Sequence, residues 1–119
     1  MLKIGIVGSR RRYTQTDFKL VKDKFFEVYQ EGALIVSGGC PKGGDEFAHM
    51  IAKQNGIPIL IFYPNWEKYN KAAGFIRNTH IAENSDILIA CTALDRTGGT
   101  EDTIKKFRKA KPEGILYLV

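Results

Sequence analysis

Apolar runs and helix-periodic stretches alternate along this chain without a break, and that alternation constrains the fold more than any other feature. Residues 2–7, 33–37, 57–63, 86–92 and 114–119 read as β-strands. Between them, 14–30 carries Phe18, Val21, Phe25 and Val28 at helical spacing, and 45–54 carries Phe47, Ala48, Ile51 and Ala52. A loop and then a helix from about Ala72 fill 64–84, and 100–109 completes the series. Such periodicity switching predicts right-handed crossovers and a parallel sheet covered on both faces. Thr14 and Asp17 have capping-box spacing, Gly32 stops the first helix, and Asn55-Gly56 stops the second. The run 57–63 reads as a strand buried on both faces. The expected architecture is an α/β, Rossmann-like three-layer sandwich, one domain over residues 1–119, with a five-stranded parallel sheet in the order 3-2-1-4-5.

That order reverses the winding between the first and fourth strands, and ligands of such sheets bind outside the carboxyl ends of the strands at that point. Three glycine-bearing loops follow strands there: Gly8-Ser9-Arg10, the stretch from Gly38-Gly39 to Gly43-Gly44-Asp45, and Gly98-Gly99-Thr100. Glycines let main-chain N–H groups approach a ligand, and a helix beginning just afterwards adds the positive end of its dipole. The pattern predicts a cradle for a phosphate-bearing small molecule. The second loop reads as an anion nest with Lys42 adding charge. It lacks the Gly-Lys-Ser/Thr of a Walker loop and the dinucleotide GxGxxG fingerprint. In the third, Thr100 supplies a hydroxyl and caps the helix, and Glu101 and Asp102 are first-turn acids. Arg10 suits two-pronged phosphate recognition, whereas Arg11 and Arg12 read as surface charges. In Ala72-Ala73-Gly74-Phe75-Ile76-Arg77-Asn78, the helix glycine marks a cap, a bend or a close approach, and Arg77 and Asn78 are candidates to face the ligand. Trp66 reads equally as core or as the rim of a base-sized pocket.

Charge and composition narrow the classes. The formal net charge is +5 over 119 residues, with 44% hydrophobic residues. The lysines of the first and last helices account for much of the excess as solvated faces, so nucleic acid is the minor partner reading. No apolar run approaches the roughly 20 residues of a membrane span, and the start of the chain passes straight into a strand; the expected location is the cytoplasm. Cys40 and Cys91 are too few for a disulfide framework, and no metal site or cofactor is expected.

Taken in order, Gly8-Ser9-Arg10, Ser37-Gly38-Gly39, Gly43-Gly44-Asp45, Tyr63-Pro64-Asn65-Trp66, the 72–78 stretch and Gly99-Thr100-Glu101-Asp102 resemble the YspA-type branch of the SLOG superfamily. That superfamily also holds the Smf/DprA DNA-processing proteins, the Lonely Guy phosphoribohydrolases and the molybdenum-cofactor carriers. The resemblance covers essentially the whole chain. It implies a Rossmann-like domain that binds a nucleotide or nucleotide derivative, as a dimer or larger assembly, in defence or nucleotide-signalling settings. The ligand would be held by Gly8, Ser9, Arg10, Gly38, Gly39, Lys42, Gly43, Gly44, Asp45, Gly98, Gly99 and Thr100, with Arg77 and Asn78 over the sugar or base.

Similarity to the Lonely Guy enzymes makes nucleoside 5'-monophosphate hydrolysis the alternative, with Arg77 and either Asp102 or Glu101 at the glycosidic bond. Their Pro-Gly-Gly-x-Gly-Thr-x-x-Glu motif is only half present: Gly99-Thr100 matches, but Asp95-Arg96-Thr97 replaces Pro-Gly-Gly and Thr103 stands at the glutamate. A one-residue shift turns a helical side chain by about 100°, away from the position that bond cleavage requires. A third reading, single-stranded DNA binding as in DprA, follows from the positive charge.

Overall fold

A computed structural model describes residues 1–40 and 42–119. The five strands are β1 (Lys3–Gly8), β2 (Leu34–Ser37), β3 (Ile59–Ile61), β4 (Ile87–Cys91) and β5 (Ile115–Leu118). All pair in parallel, in the order β3-β2-β1-β4-β5. The helices are α1 (Gln15–Val28), α2 (Gly44–Asn55), α3 (Trp66–Tyr69), α4 (Ala73–Glu83) and α5 (Gly99–Ala110). The sheet and its order are those read from the sequence.

Alternation along each strand builds the three layers. Ile4, Ile6, Ile35, Ile89 and Cys91 point to the face covered by α1 and α2, where Val21, Phe25, Phe47, Ala48 and Ile51 meet them. Val7, Val36, Leu88 and Ala90 point the other way, onto Ile81, Ala82, Ile104 and Phe107 of α4 and α5. Most of these side chains are fully buried, and each Val, Leu, Ile and Phe among them contributes about 1.5–3 kcal/mol of transfer free energy.

Local chemistry sets the helix ends. The amide of Asp17 donates to Thr14 Oγ1 at 3.1 Å and the amide of Thr14 donates to Asp17 Oδ2 at 3.2 Å, a complete capping box. α2 stops at Gly56, in the left-handed conformation. α3 is a single turn begun by Asn65, whose side chain accepts the Lys68 amide.

Three expectations are corrected. β3 spans three residues and forms the sheet edge, with Leu60 exposed and Ile59 and Ile61 half-buried, so the run 57–63 is not a strand buried on both faces. Edge position explains it: β3 has a strand neighbour on one side only. Thr100 does not cap α5, because the helix begins one residue earlier with Gly98 at the cap position. Arg11 is an exposed surface charge as expected, but Arg12 is not. Arg12 is largely buried, with Nε donating to Asp17 at 2.8 Å and Nη1 donating to the Thr92 and Val119 carbonyls, also at 2.8 Å. It thereby ties the start of α1 to the ends of β4 and β5. Among the described residues, no helix is long and apolar enough to cross a membrane.

Candidate functional site

Beyond the carboxyl ends of β1 and β4, where the winding reverses, a cleft of about 310 Å³ opens between the β1–α1 loop, the N-terminal end of α5 and α4. The β1–α1 loop is folded by its own serine. Ser9 Oγ accepts the Arg11 amide at 3.1 Å and its carbonyl accepts the Arg12 amide at 3.0 Å, a tight turn that fans three consecutive arginines in different directions. Arg10 is exposed at the cleft wall and makes no ion pair or side-chain hydrogen bond among the described residues. Arg11 crosses the mouth to the β4–α5 loop. Its guanidinium donates to Asp95 Oδ2 at 2.8 Å and to the Thr97 carbonyl and Oγ1, both at 2.9 Å. Arg11's hydrogen bond first, then that of the Thr97 hydroxyl, pulls the Asp95 carboxyl down to about 2. Arg12 turns inward to its structural task.

Gly99 and Thr100 open α5 at the cleft wall, and the first-turn amides of a 12-residue helix supply the positive end of its dipole. On the opposite side α4 presents Arg77 and Asn78, fixed by a chain of bonds. Arg77 Nη1 donates to the Gly38 carbonyl at 2.6 Å and Nε donates to Asn78 Oδ1 at 2.9 Å. Asn78 Nδ2 donates to Asp102 Oδ2 at 3.1 Å and the Gly99 carbonyl at 3.3 Å, and Lys106 donates to Asp102 at 2.8 Å. The two arms of the cleft are therefore cross-braced.

The Gly38–Asp45 loop departs most from expectation. Its amides are already engaged by a carboxylate of the chain: the Cys40 amide donates to Asp45 Oδ2 at 3.0 Å, and Ser37 Oγ donates to Oδ1 at 3.4 Å. Arg77 Nη1 stands 3.9 Å from the same carboxylate. Burial pushes the Asp45 carboxyl above the usual range, against the Cys40 amide and the Arg77 charge. Pro41 lies outside the described residues. Gly43 and Gly44 serve close packing rather than an open nest, since a Cβ on Gly44 would stand 2.2 Å from the Gly8 nitrogen.

Of the residues predicted from sequence, Gly8, Ser9, Arg10, Asp45, Arg77, Asn78, Gly98, Gly99 and Thr100 line the cleft. Gly38, Gly39, Lys42, Gly43 and Gly44 do not; Gly38 nonetheless positions Arg77 through its carbonyl, and Lys42 is exposed. Neither hydrolase carboxylate candidate lines it. Glu101 is held by a two-pronged bond from Arg96 at 2.8 and 2.9 Å, and Asp102 by Asn78 and Lys106. Trp66 is 57% exposed and away from the cleft lining.

Sequence reasoning missed Arg11 and Cys40, both of which line the cleft. Cys91 is buried, and that burial raises its thiol to about 11, so it is an inert core residue. No group of three or more metal-ligating side chains is gathered among the described residues. Compared with protein-family models, curated proteins and solved structures, the chain finds no match.

Proposed function

We infer that this domain binds a small phosphorylated molecule of the nucleotide class in the cleft at the sheet's switch point. One observation carries the reading: Arg10, Arg11 and Arg77 converge with the α5 N-terminus on a cleft in which Asp45 is the one carboxylate among the described lining residues. An anionic group there meets fixed donors and positive charge from three elements. Ser9 Oγ accepts a bond from its own turn, which leaves its hydroxyl proton to donate to the ligand. A volume of about 310 Å³ lies at the small end of ligand pockets and suits one nucleoside monophosphate or sugar phosphate. The cleft lining holds no aromatic side chain among the described residues, which does not favour a stacking platform for single-stranded DNA. The resemblance to the SLOG superfamily, carried by the same loops, points the same way.

Titration calorimetry with ribose 5-phosphate and AMP at low salt tests this. Both bind, and Arg10→Ala, at an exposed position without structural bonds among the described residues, weakens both by about 10-fold, as loss of one charge-assisted hydrogen bond implies. Absence of binding by either compound overturns the reading.

The hydrolase alternative rests on a different carboxylate from those the sequence pointed to. Asp45 lines the cleft beside Arg77, with its carboxyl raised by burial, the environment that suits an acid-base role. Chromatographic detection of free base released from AMP, abolished by Asp45→Asn, would establish that activity; binding without release supports a pure binding module.

A further inference from the structure

Where α3 turns into α4, three aromatic side chains face solvent: Trp66 is 57% exposed, Phe75 56% and Tyr69 37%. None of the three belongs to either face of the core, and α3 buries no residue at all. Their frame is nonetheless fixed. The Asn65 side chain caps α3 by accepting the Lys68 amide at 3.1 Å, and Asn70 turns the chain with a left-handed φ of +49°. The Trp66 ring rests on α4 beside Gly74, with Cη2 3.8 Å from where a Cβ would stand. Rings held in this way lose little freedom when a partner covers them, and Trp and Tyr are favoured anchors of protein interfaces.

Cations accompany the rings. Lys68 Nζ lies 5.1 Å from the centre of the Tyr69 ring, and Lys106 Nζ lies 5.5 Å from that of Phe75. Lys68 and Lys71 are exposed and pair with no carboxylate among the described residues, and Glu67 is the one acid between residues 66 and 75. This charge decides among occupants. A second copy seated on the same patch about a two-fold axis would set the lysines against themselves. Single-stranded nucleic acid stacks its bases on open ring faces, and an ammonium group already lies over two of the three rings. A protein segment with carboxylates and apolar side chains meets both features, its acids pairing with the lysines and its apolar groups covering the rings. We propose that Trp66, Tyr69 and Phe75, with Lys68, Lys71 and Lys106, form a docking surface for an acidic, apolar segment of another protein. None of these six residues lines the cleft, so the inference stands apart from the phosphate reading.

Selection from a library of random peptides displayed on phage, with fluorescence anisotropy on the recovered sequences as labelled synthetic peptides, tests it. The recovered peptides are rich in Asp and Glu together with Leu, Phe or Trp, and their affinity falls as salt is raised. Trp66→Ala and Phe75→Ala each weaken the tightest peptide by about 10-fold, and so does the double reversal Lys68→Glu with Lys71→Glu. Urea midpoints of the variants show whether the fold is kept; the lysine reversal, at exposed positions, carries the test if an aromatic substitution disturbs it. A selection that returns no acidic peptide, or peptides indifferent to these substitutions, overturns the docking surface. Loss of peptide binding in Arg10→Ala places the peptides in the cleft and overturns it as well. Oligothymidylate binding that is lost in Trp66→Ala gives the surface to nucleic acid, and a dimer in sedimentation that Trp66→Ala disperses gives it to a second copy; either result overturns the proposal.

Discussion

Gly44 is the residue on which the site's geometry is most tightly wedged. A Cβ there would lie 2.2 Å from both the Gly8 nitrogen and the Val7 carbonyl carbon, and these are backbone atoms of the central strand that have no rotamer to relax into. Gly44→Ala must therefore push α2 away from β1 or distort the β1–α1 loop that carries Ser9 and Arg10. Overpacking of this kind costs about 1–3 kcal/mol, so urea unfolding should show a lowered midpoint with an unchanged slope. Gly56→Ala offers the contrast: nothing lies within 4 Å of its Cβ position, and its left-handed backbone is the main source of strain. Phosphate affinity should fall in Gly44→Ala and not in Gly56→Ala.

At the scale of elements, α1 is held to the sheet by Arg12 as well as by its apolar face. The Arg12 guanidinium joins Asp17 to two carbonyls at the ends of β4 and β5. Burial opposes the Asp17 charge, but the Arg12 bond and the two bonds with Thr14 outweigh it and hold its carboxyl below the ordinary range. A depressed native pKa means stabilisation that is present above the unfolded value near 3.8 and is lost as pH falls through the native one. Arg12→Ala leaves a buried carboxylate without its partner and should cost about 3 kcal/mol at neutral pH. Its penalty should shrink below pH 4, where protonation removes the stranded charge; an equal penalty at pH 7 and pH 3 in urea melts would refute the assignment. Thr14→Ala, which removes only the cap, should cost about 1 kcal/mol.

Elements of this kind also show what the sequence made legible. The capping box at Thr14 and Asp17, the stop at Gly56 and the strand order follow from local spacing and from crossover handedness, so they could be read directly. Arg12 could not, because a run of three arginines has no periodicity, and Arg11 and Arg12 are told apart by partners 80 or more residues away, Asp95 for the one and Thr92 for the other. The glycines around Gly38 and Gly43 were legible as a site loop. Their occupation by Asp45 was not, since the pattern that presents amides to a ligand also presents them to a carboxylate of the chain itself. β3 was read too long because apolar residues near an edge strand resemble those of a central one.

For the molecule as a whole, the consequence is that the cleft's affinity for anions is coupled to the protonation of Asp45. The net charge is +5, yet the one carboxylate among the described cleft residues sits within 3.9 Å of Arg77 and takes part of its field. Burial raises that carboxyl, so it gains its proton at a pH above 3.8, while the Asp95 carboxyl, drawn down to about 2 by Arg11 and Thr97, stays ionised and keeps the clasp across the mouth closed. Over the interval between them the cleft loses a negative charge and keeps its shape. Sulfate, whose own charge is constant over this range, should therefore bind more tightly as pH falls through the Asp45 transition, and Asp45→Asn should hold the tighter affinity at every pH from 7 down to 3. Native stability should follow the same proton. A raised native pKa means that the ionised form is penalised, so stability rises as pH drops from that value towards 3.8 and this gain is missing in Asp45→Asn. Raising ionic strength should weaken sulfate binding in both proteins without moving the transition out of the unmodified one. A sulfate affinity that is flat with pH in the unmodified chain would show that Asp45 does not face the anion, and with it the convergence of loops on a single cleft would lose its electrostatic meaning.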